Sequence, residues 1–356
     1  MKSYILDKLH SKFIEKNCKN DDIYFKILYN KLINCKNDID KYTKKWEKYK
    51  KYVNTYEFVY TKYNIYINIC NILPISRSYF KLHEMLYDFD IININNAICI
   101  AEAPGGFIQC LHDNHNLDNI YGITLLSNDD SVPVWNNKIY KYDNIKLLYG
   151  KDNTGDICNL DNIKDIVKNI NNKCELITCD GGIDYSINFK NQELDSYEFI
   201  YNEILLSLQL QKNDGTLILK IFDIFHNYTI QLIYILYQCY DTIIINKPYT
   251  SRNTNSEKYL ICKNYKYNKN IIDFLKENYN NKLNLINIPK SFLDNIKFYN
   301  QVYIENQIKN IESVLELIES QKILIKPSSI QIEKALDWCK TYDLEINKNC
   351  VYLETF

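Results

Sequence analysis

The sequence predicts an α/β domain built on a mostly parallel sheet, with helical additions at both ends. Three observations predict it. Residues 97–101 are a short apolar run that enters Ala103-Pro-Gly-Gly106 and then a helical pattern over 107–112, the strand–turn–helix order with which α/β folds hold nucleotide-like ligands. Thr216-Leu-Ile-Leu-Lys-Ile-Phe222 is an almost unbroken apolar run, the mark of a central strand buried on both faces. Short apolar strands and helical patterns alternate around these two. Gly105 and Gly106 predict close approach of backbone to a ligand. A Pro-Gly-Gly turn is also ordinary turn chemistry, and the G-x-G-x-x-G fingerprint is absent.

The chain has 356 residues, enough for a main domain with additions. Its net charge of −1 gives no global basic field to advertise nucleic acid. The 12 cysteines are scattered with no C-x-x-C pair, which argues against zinc, and no metal is expected. No signal-peptide pattern and no bilayer-length apolar run are seen, so no membrane partner is expected. Free thiols then predict a reducing, intracellular compartment. Lysine, asparagine, isoleucine and tyrosine dominate, which suggests AT-rich coding, a large DNA virus or an AT-rich eukaryote. The two arginines, Arg77 and Arg252, each follow a serine. A guanidinium kept in a lysine-rich chain points to multi-donor hydrogen bonding. The alternative is chance retention.

In chain order, residues 1–74 read as helical and polar, with Leu6, Leu9, Phe13 and Ile14 as an early stripe. Lysines at 41–51 interleave with Tyr42, Trp46, Tyr49 and Tyr52. That composition suits an RNA grip, but also a solvated helix with aromatics turned to the core. After Pro74, a helix carries Phe80, Leu82, Met85 and Leu86, with Ser76 as N-cap and Lys81 at the edge of the buried face. Strands follow at 119–125 and 145–149, then the polar loop 150–157, where Asp156 is a candidate acceptor or a turn residue. Leu176-Ile-Thr-Cys-Asp-Gly-Gly182 places an acid and two glycines at a strand end. Residues 194–210 read as one core-packing helix that includes Phe199, and 213–216 as a turn. Lys220 interrupts the central strand; a buried ammonium needs carboxylate partners, unless it sits at the strand's open end. A helix at 229–240, a strand at 242–246, a polar loop at 247–257 and a strand at 258–263 come next. Glu257 opens that last strand. Helices at 270–283, 308–323 and 330–339 form a C-terminal addition with no evident chemistry.

Lys81, Asp180, Lys220 and Glu257 thus collect two bases and two acids on or beside apolar elements. In this order the chain resembles the FtsJ-like family of RNA ribose 2′-O-methyltransferases, which carries a Lys-Asp-Lys-Glu tetrad. The resemblance runs over about 75–265. Its motifs here are Ser76-Arg-Ser-Tyr-Phe-Lys81, Thr178-Cys-Asp-Gly-Gly182, Leu217-Ile-Leu-Lys-Ile-Phe222, Lys247-Pro-Tyr-Thr-Ser-Arg252 and Asn255-Ser-Glu-Lys-Tyr259. It is most similar to the cap-specific mRNA enzymes of eukaryotes and large DNA viruses. Glu102-Ala-Pro-Gly105 with Asp152-Asn-Thr-Gly-Asp-Ile157 resembles the Adrift-type branch, which acts on the second transcribed nucleotide. Cys99 stands where many members carry an acid, and Thr124 lies where another is usual.

The resemblance implies a Rossmann-like S-adenosylmethionine-dependent methyltransferase sheet ending in an antiparallel hairpin strand. It implies an FtsJ-like domain at 75–268, between helical regions at 1–74 and 269–356. It implies methylation of a cap-proximal ribose 2′-OH, with capped mRNA and capping or transcription proteins as partners. The location would be virus factory, host cytoplasm or virion for a viral protein, otherwise nucleus or cytoplasm. Lys220 is expected as general base, its pKa lowered by burial and by a second lysine. Asp180 would orient it, Lys81 would face the developing alkoxide, and Glu257 would hold Lys81 or the ribose. Ala101, Glu102, Ala103, Pro104, Gly105, Gly106, Phe107, Asp156, Ile157 and Asp180 are expected at S-adenosylmethionine, and Arg77, Ser251, Arg252 and Ser256 at RNA. The rival readings are a ribosomal or transfer RNA 2′-O-methyltransferase, a non-catalytic RNA-binding subunit on this fold, and a nicotinamide enzyme, which the missing glycine fingerprint disfavours.

Overall fold

One sheet of eight strands organises the chemistry-bearing positions of the chain. A computed structural model describes residues 2–6, 23–182, 191–279, 281–284, 286–321 and 326–353. The strands are β1 (Ser3–Leu6), β2 (Asn96–Ile100), β3 (Asn119–Ile123), β4 (Ile145–Leu148), β5 (Cys174–Cys179), β6 (Gln211–Ile221), β7 (Tyr240–Asn246) and β8 (Lys258–Tyr265). The helices are α1 (Lys26–Ile39), α2 (Thr43–Val53), α3 (Ser78–Asp88), α4 (Gly106–Asn114), α5 (Leu160–Asn169), α6 (Gln192–Asp195), α7 (Tyr197–Leu210), α8 (Asn227–Cys239), α9 (Lys269–Glu277), α10 (Lys290–Glu319) and α11 (Ser329–Thr341).

The strand order is β1-β7-β8-β6-β5-β2-β3-β4. Strands β2 to β6 pair in parallel, β8 lies antiparallel between β6 and β7, and β1 pairs antiparallel with β7. Every residue of β2 is buried, as is Thr216–Leu219 within β6. A two-sided core therefore selects unbroken branched apolar runs instead of polar alternation. The order turns back at β2, so the carboxyl ends of β2 and β5 flank the crevice where open α/β sheets bind ligands.

Several sequence expectations change. Residues 3–6 form an edge strand, not a helix; their exposure alternates, with Ile5 outward and Leu6 inward, and four residues are too few for periodicity to decide. Leu9, Phe13 and Ile14 lie outside the described residues. The 213–216 turn is taken into β6, where Asp214 has φ 62° and the β5–β6 register shifts between Cys174 and Leu176, as a bulge allows. The helix expected over 194–210 breaks at Ser196, whose hydroxyl donates to the Gln192 carbonyl at 2.6 Å. Ser76 is not the N-cap of α3. Arg77 holds that position, while the Ser76 hydroxyl accepts from the Ser78 amide at 3.3 Å. The helix expected at 308–323 begins earlier, at Lys290, because Phe292, Ile296, Tyr299, Tyr303 and Ile304 continue its buried stripe.

The chain falls into two compact units that interleave in sequence, unlike the three consecutive regions expected. The first comprises Met1–Lys26, Ile91–Lys247 and Glu257–Asn300, and holds the whole sheet. The second comprises Ile27–Asp90, Pro248–Ser256 and Gln301–Phe356. Within the second unit, Gln331 of α11 donates to the carbonyls of Lys51 and Asn54 at 3.1 and 2.8 Å. Among the described residues, no helix is long and apolar enough to cross a membrane.

Candidate active site

In the first unit, the loops at the carboxyl ends of the parallel strands surround a cavity of about 840 Å³, within the usual size range of cofactor sites. Ala101 and Ala103 follow β2, Thr124 and Leu125 follow β3, and Gly155, Asp156 and Ile157 come after β4. Asp180 and Gly182 follow β5, and Lys220 and Phe222 come from the end of β6. The loop after β4 needs glycine. Gly155 has φ +71°, and a Cβ there would lie 1.9 Å from the Thr124 carbonyl oxygen. Gly155→Ala is expected to displace the wall containing Thr124 and Asp156. Titration should show cofactor affinity falling about tenfold or more, and the backbone clash at a left-handed φ should lower the global unfolding midpoint as well.

Lys220 is nearly buried and paired. Its Nζ lies 3.2 Å from Asp180 Oδ1 and donates to the Asp180 backbone carbonyl at 2.6 Å. The Tyr259 hydroxyl donates to the same Asp180 Oδ1 at 2.7 Å. Tyr259 is opposite Lys220 in the β6–β8 register, so sheet pairing sets these two side by side and both reach Asp180 at the end of β5. Burial pulls the Lys220 pKa down, but the charges of Asp180, Glu257 and Glu203 outweigh it, and the net shift is upward. The expectation of a lowered lysine pKa is thereby corrected: the carboxylates around the ammonium stabilise its charged form.

Two further carboxyls sit behind this pair. Glu203 of α7 is buried; desolvation raises its pKa well above the ordinary range, against the lowering effect of Lys220. Glu102 is also buried, and burial together with the Asp180 charge raises it similarly. Its Oε1 accepts from the Phe107 amide at 2.6 Å, so this acid holds the first turn of α4.

The candidate cofactor residues divide accordingly. Ala101, Ala103, Asp156, Ile157 and Asp180 line the cavity; Glu102, Pro104, Gly105, Gly106 and Phe107 do not. Gly105 has φ +112° and packs where a Cβ would meet Ile139 at 2.5 Å. Glycine is thus required there by the left-handed φ and by packing beneath the turn. Asp156 Oδ1 accepts from the Cys158 amide at 2.8 Å, a turn role compatible with lining the cavity. Sequence reading missed Phe199, Asp195 and Glu198, which line the cavity, and Tyr259. The helical stripe alone assigns Phe199 to the core. It stands so close to Gly181 that a Cβ there would lie 1.9 Å from its ring. Tyr259 could have been found from its place two residues after Glu257.

The FtsJ-like methyltransferase family matches residues 74–265, more than half of the chain. The chain belongs to that family. It is 28% identical over 244 residues to a cap-specific mRNA (nucleoside-2′-O-)-methyltransferase of Autographa californica nuclear polyhedrosis virus, covering 68% of this chain and 86% of that protein. It is 31% identical to cap-specific mRNA (nucleoside-2′-O-)-methyltransferase 1 of Dictyostelium discoideum and 30% identical to methyltransferase 2 of Pongo abelii. Those alignments cover 62% and 54% of this chain, which spans only 28% and 27% of those two proteins. Such similar identities to a type 1 and a type 2 protein do not separate the two.

In this FtsJ-like methyltransferase the remaining candidates belong to the second unit, except Glu257, which directly precedes β8. Lys81 lies on α3 between the fully buried Phe80 and Leu82. The four residues expected at RNA are engaged in the second unit's own packing. Arg252 donates from Nε and Nη2 to Glu57 at 2.9 and 2.8 Å, and Arg77 Nη1 lies 3.0 Å from the same carboxylate. Arg77 also donates to the carbonyls of Thr250 and Tyr60. Ser256 is buried and accepts from Lys36 Nζ at 2.9 Å, and Ser251 is buried as well. The planar fork thus has a structural use in gripping Glu57, which lysine could not reproduce.

Proposed function

We propose that this methyltransferase transfers the methyl group of S-adenosylmethionine to a ribose 2′-OH near the capped 5′ end of mRNA. The observation that carries the reading is the Asp180–Lys220 pair, 3.2 Å apart in the wall of the 840 Å³ cavity. A buried lysine in a central strand is costly to the fold, and its position at the cavity gives it a chemical use. The cavity's residues fit the cofactor's parts. Ile157 and Val132 offer apolar surface for an adenine, Asp156 and Asp180 offer acceptors for hydroxyls and an amine, and Ala101, Ala103 and Gly182 leave room for close approach. When bound, S-adenosylmethionine supplies a methyl carbon made electrophilic by its sulfonium.

The protein's own work is positioning and proton handling. The Tyr259 hydroxyl and Lys220 fix the Asp180 carboxylate, which in turn orients Lys220 Nζ. Two of the ammonium's three protons are directed at Asp180. Once deprotonated, Nζ is the group that accepts the ribose hydroxyl proton. Lys81 would face the developing negative charge on the ribose oxygen, and Glu257 would hold Lys81 or the ribose. The expectation is tested by mapping the methyl group on short transcripts made with and without a cap. Label confined to a 2′-oxygen of the first or second nucleotide of capped RNA supports it. Equal label on uncapped or internal riboses overturns the cap assignment, and none at all overturns the activity.

A further inference from the structure

The second unit holds a recess of its own, of about 380 Å³, that the methyl-transfer reading does not use. Its walls are Tyr56 and Tyr249 on one side and Lys334, Asp337, Trp338 and Lys340 of α11 on another. The two tyrosine rings are stacked, with centroids 4.7 Å apart and planes 28° from parallel, and Tyr249 remains 41% exposed. The arrangement is built. Glu84, 0% exposed, accepts from the amides of Tyr249 and Thr250 at 2.6 and 3.2 Å, and from Trp338 Nε1 at 3.1 Å. One buried carboxylate therefore fixes both the loop carrying Tyr249 and the helix carrying the lysines. At the rim the exposed Lys334–Asp337 pair stands at 3.3 Å, which is weak enough to be exchanged for another anion.

We propose that this recess binds one nucleotide of single-stranded RNA, its base stacked on Tyr249 and its phosphate held by Lys334 and Lys340. The inference rests on the reading of RNA as substrate and adds a contact that neither the tetrad nor the cofactor cavity supplies. A rigid aromatic platform beside exposed lysines is how sequence-tolerant single-strand sites work, since every base has a face to stack and every nucleotide a phosphate. An apolar peptide would find charged walls here, and an acidic peptide would leave the stacked rings without a purpose.

The test uses the full chain and a labelled ten-nucleotide single-stranded RNA, read by fluorescence anisotropy beside a titration with S-adenosylmethionine. Tyr249→Ala is expected to weaken RNA binding about tenfold. Tyr249→Phe should bind like the parent, and Lys340→Glu should bind more weakly with a shallower salt dependence. All three should retain the parent's unfolding midpoint and cofactor affinity. Unchanged RNA affinity in Tyr249→Ala overturns the proposal. So does weakening by Lys340→Glu without weakening by Tyr249→Ala, which describes a phosphate patch with no stacked base. A parent chain that binds cofactor but no RNA overturns the substrate reading itself, a distinguishable failure.

Discussion

Lys220→Ala is expected to slow methyl transfer to capped RNA about a thousandfold, the usual loss for a positioned proton acceptor, while cofactor affinity stays within a few-fold of the parent. The pH profile makes the assignment sharper. Because Asp180, Glu257 and Glu203 hold the Lys220 pKa above its ordinary 10.5, the ammonium dominates at neutral pH. The reactive amine fraction then grows about tenfold per pH unit below that pKa. Single-turnover rates should climb with a slope near one across roughly pH 7 to 9, with no plateau in that window. A flat profile would mean that Lys220 acts only as a fixed positive charge. Residual activity in Lys220→Ala within tenfold of the parent would remove it from the reaction altogether.

Glu57→Ala is expected to cost about 3 kcal/mol of stability, because it strands two partly buried guanidiniums that share that carboxylate. Urea titration of the full chain should show it as a lower midpoint, and Arg252→Lys should recover only part of the parent's value. The pH sign follows from the direction of the shift. Burial raises the Glu57 pKa, but Arg252 and Arg77 outweigh it and hold it below its ordinary 4.5. The pair's stabilisation is therefore fully present above that value and is lost as the pH falls through the lower folded pKa. An acid titration in which parent and Glu57→Ala lose stability in parallel from pH 6 downward would show that the clamp carries no net stabilisation.

These two residues also show what a single sequence reveals. Lys220 was legible because an ammonium inside an apolar run breaks a one-dimensional pattern, and strand ends with Asp180 and glycine are local signals too. The parallel sheet was legible for the same reason. Glu57 was not: its meaning depends on Arg77 and Arg252, 20 and 195 positions away, and nothing local marks a glutamate as a hub. The arginines were noticed but read outward, since rarity shows that a guanidinium is needed and not what it grips. Phe199 was hidden because a helical stripe does not say whether its edge faces the core or a cavity. Lys220's upward shift was illegible because it depends on how many carboxylates the fold gathers around one nitrogen.

The edge position of β1 has a consequence for how the chain is made. Ser3 to Leu6 pair with Ile243 to Asn246, so these residues wait during synthesis for a partner some 240 positions later. At about 5–20 residues per second that is roughly 12–48 seconds of synthesis, during which a short apolar segment lacks its ladder. Among the described strands this pairing is the longest-range one, and closing it carries the largest loop entropy. Nascent chains stalled before residue 240 should expose residues 3–6 to a protease, and chains stalled well beyond 246 should protect them.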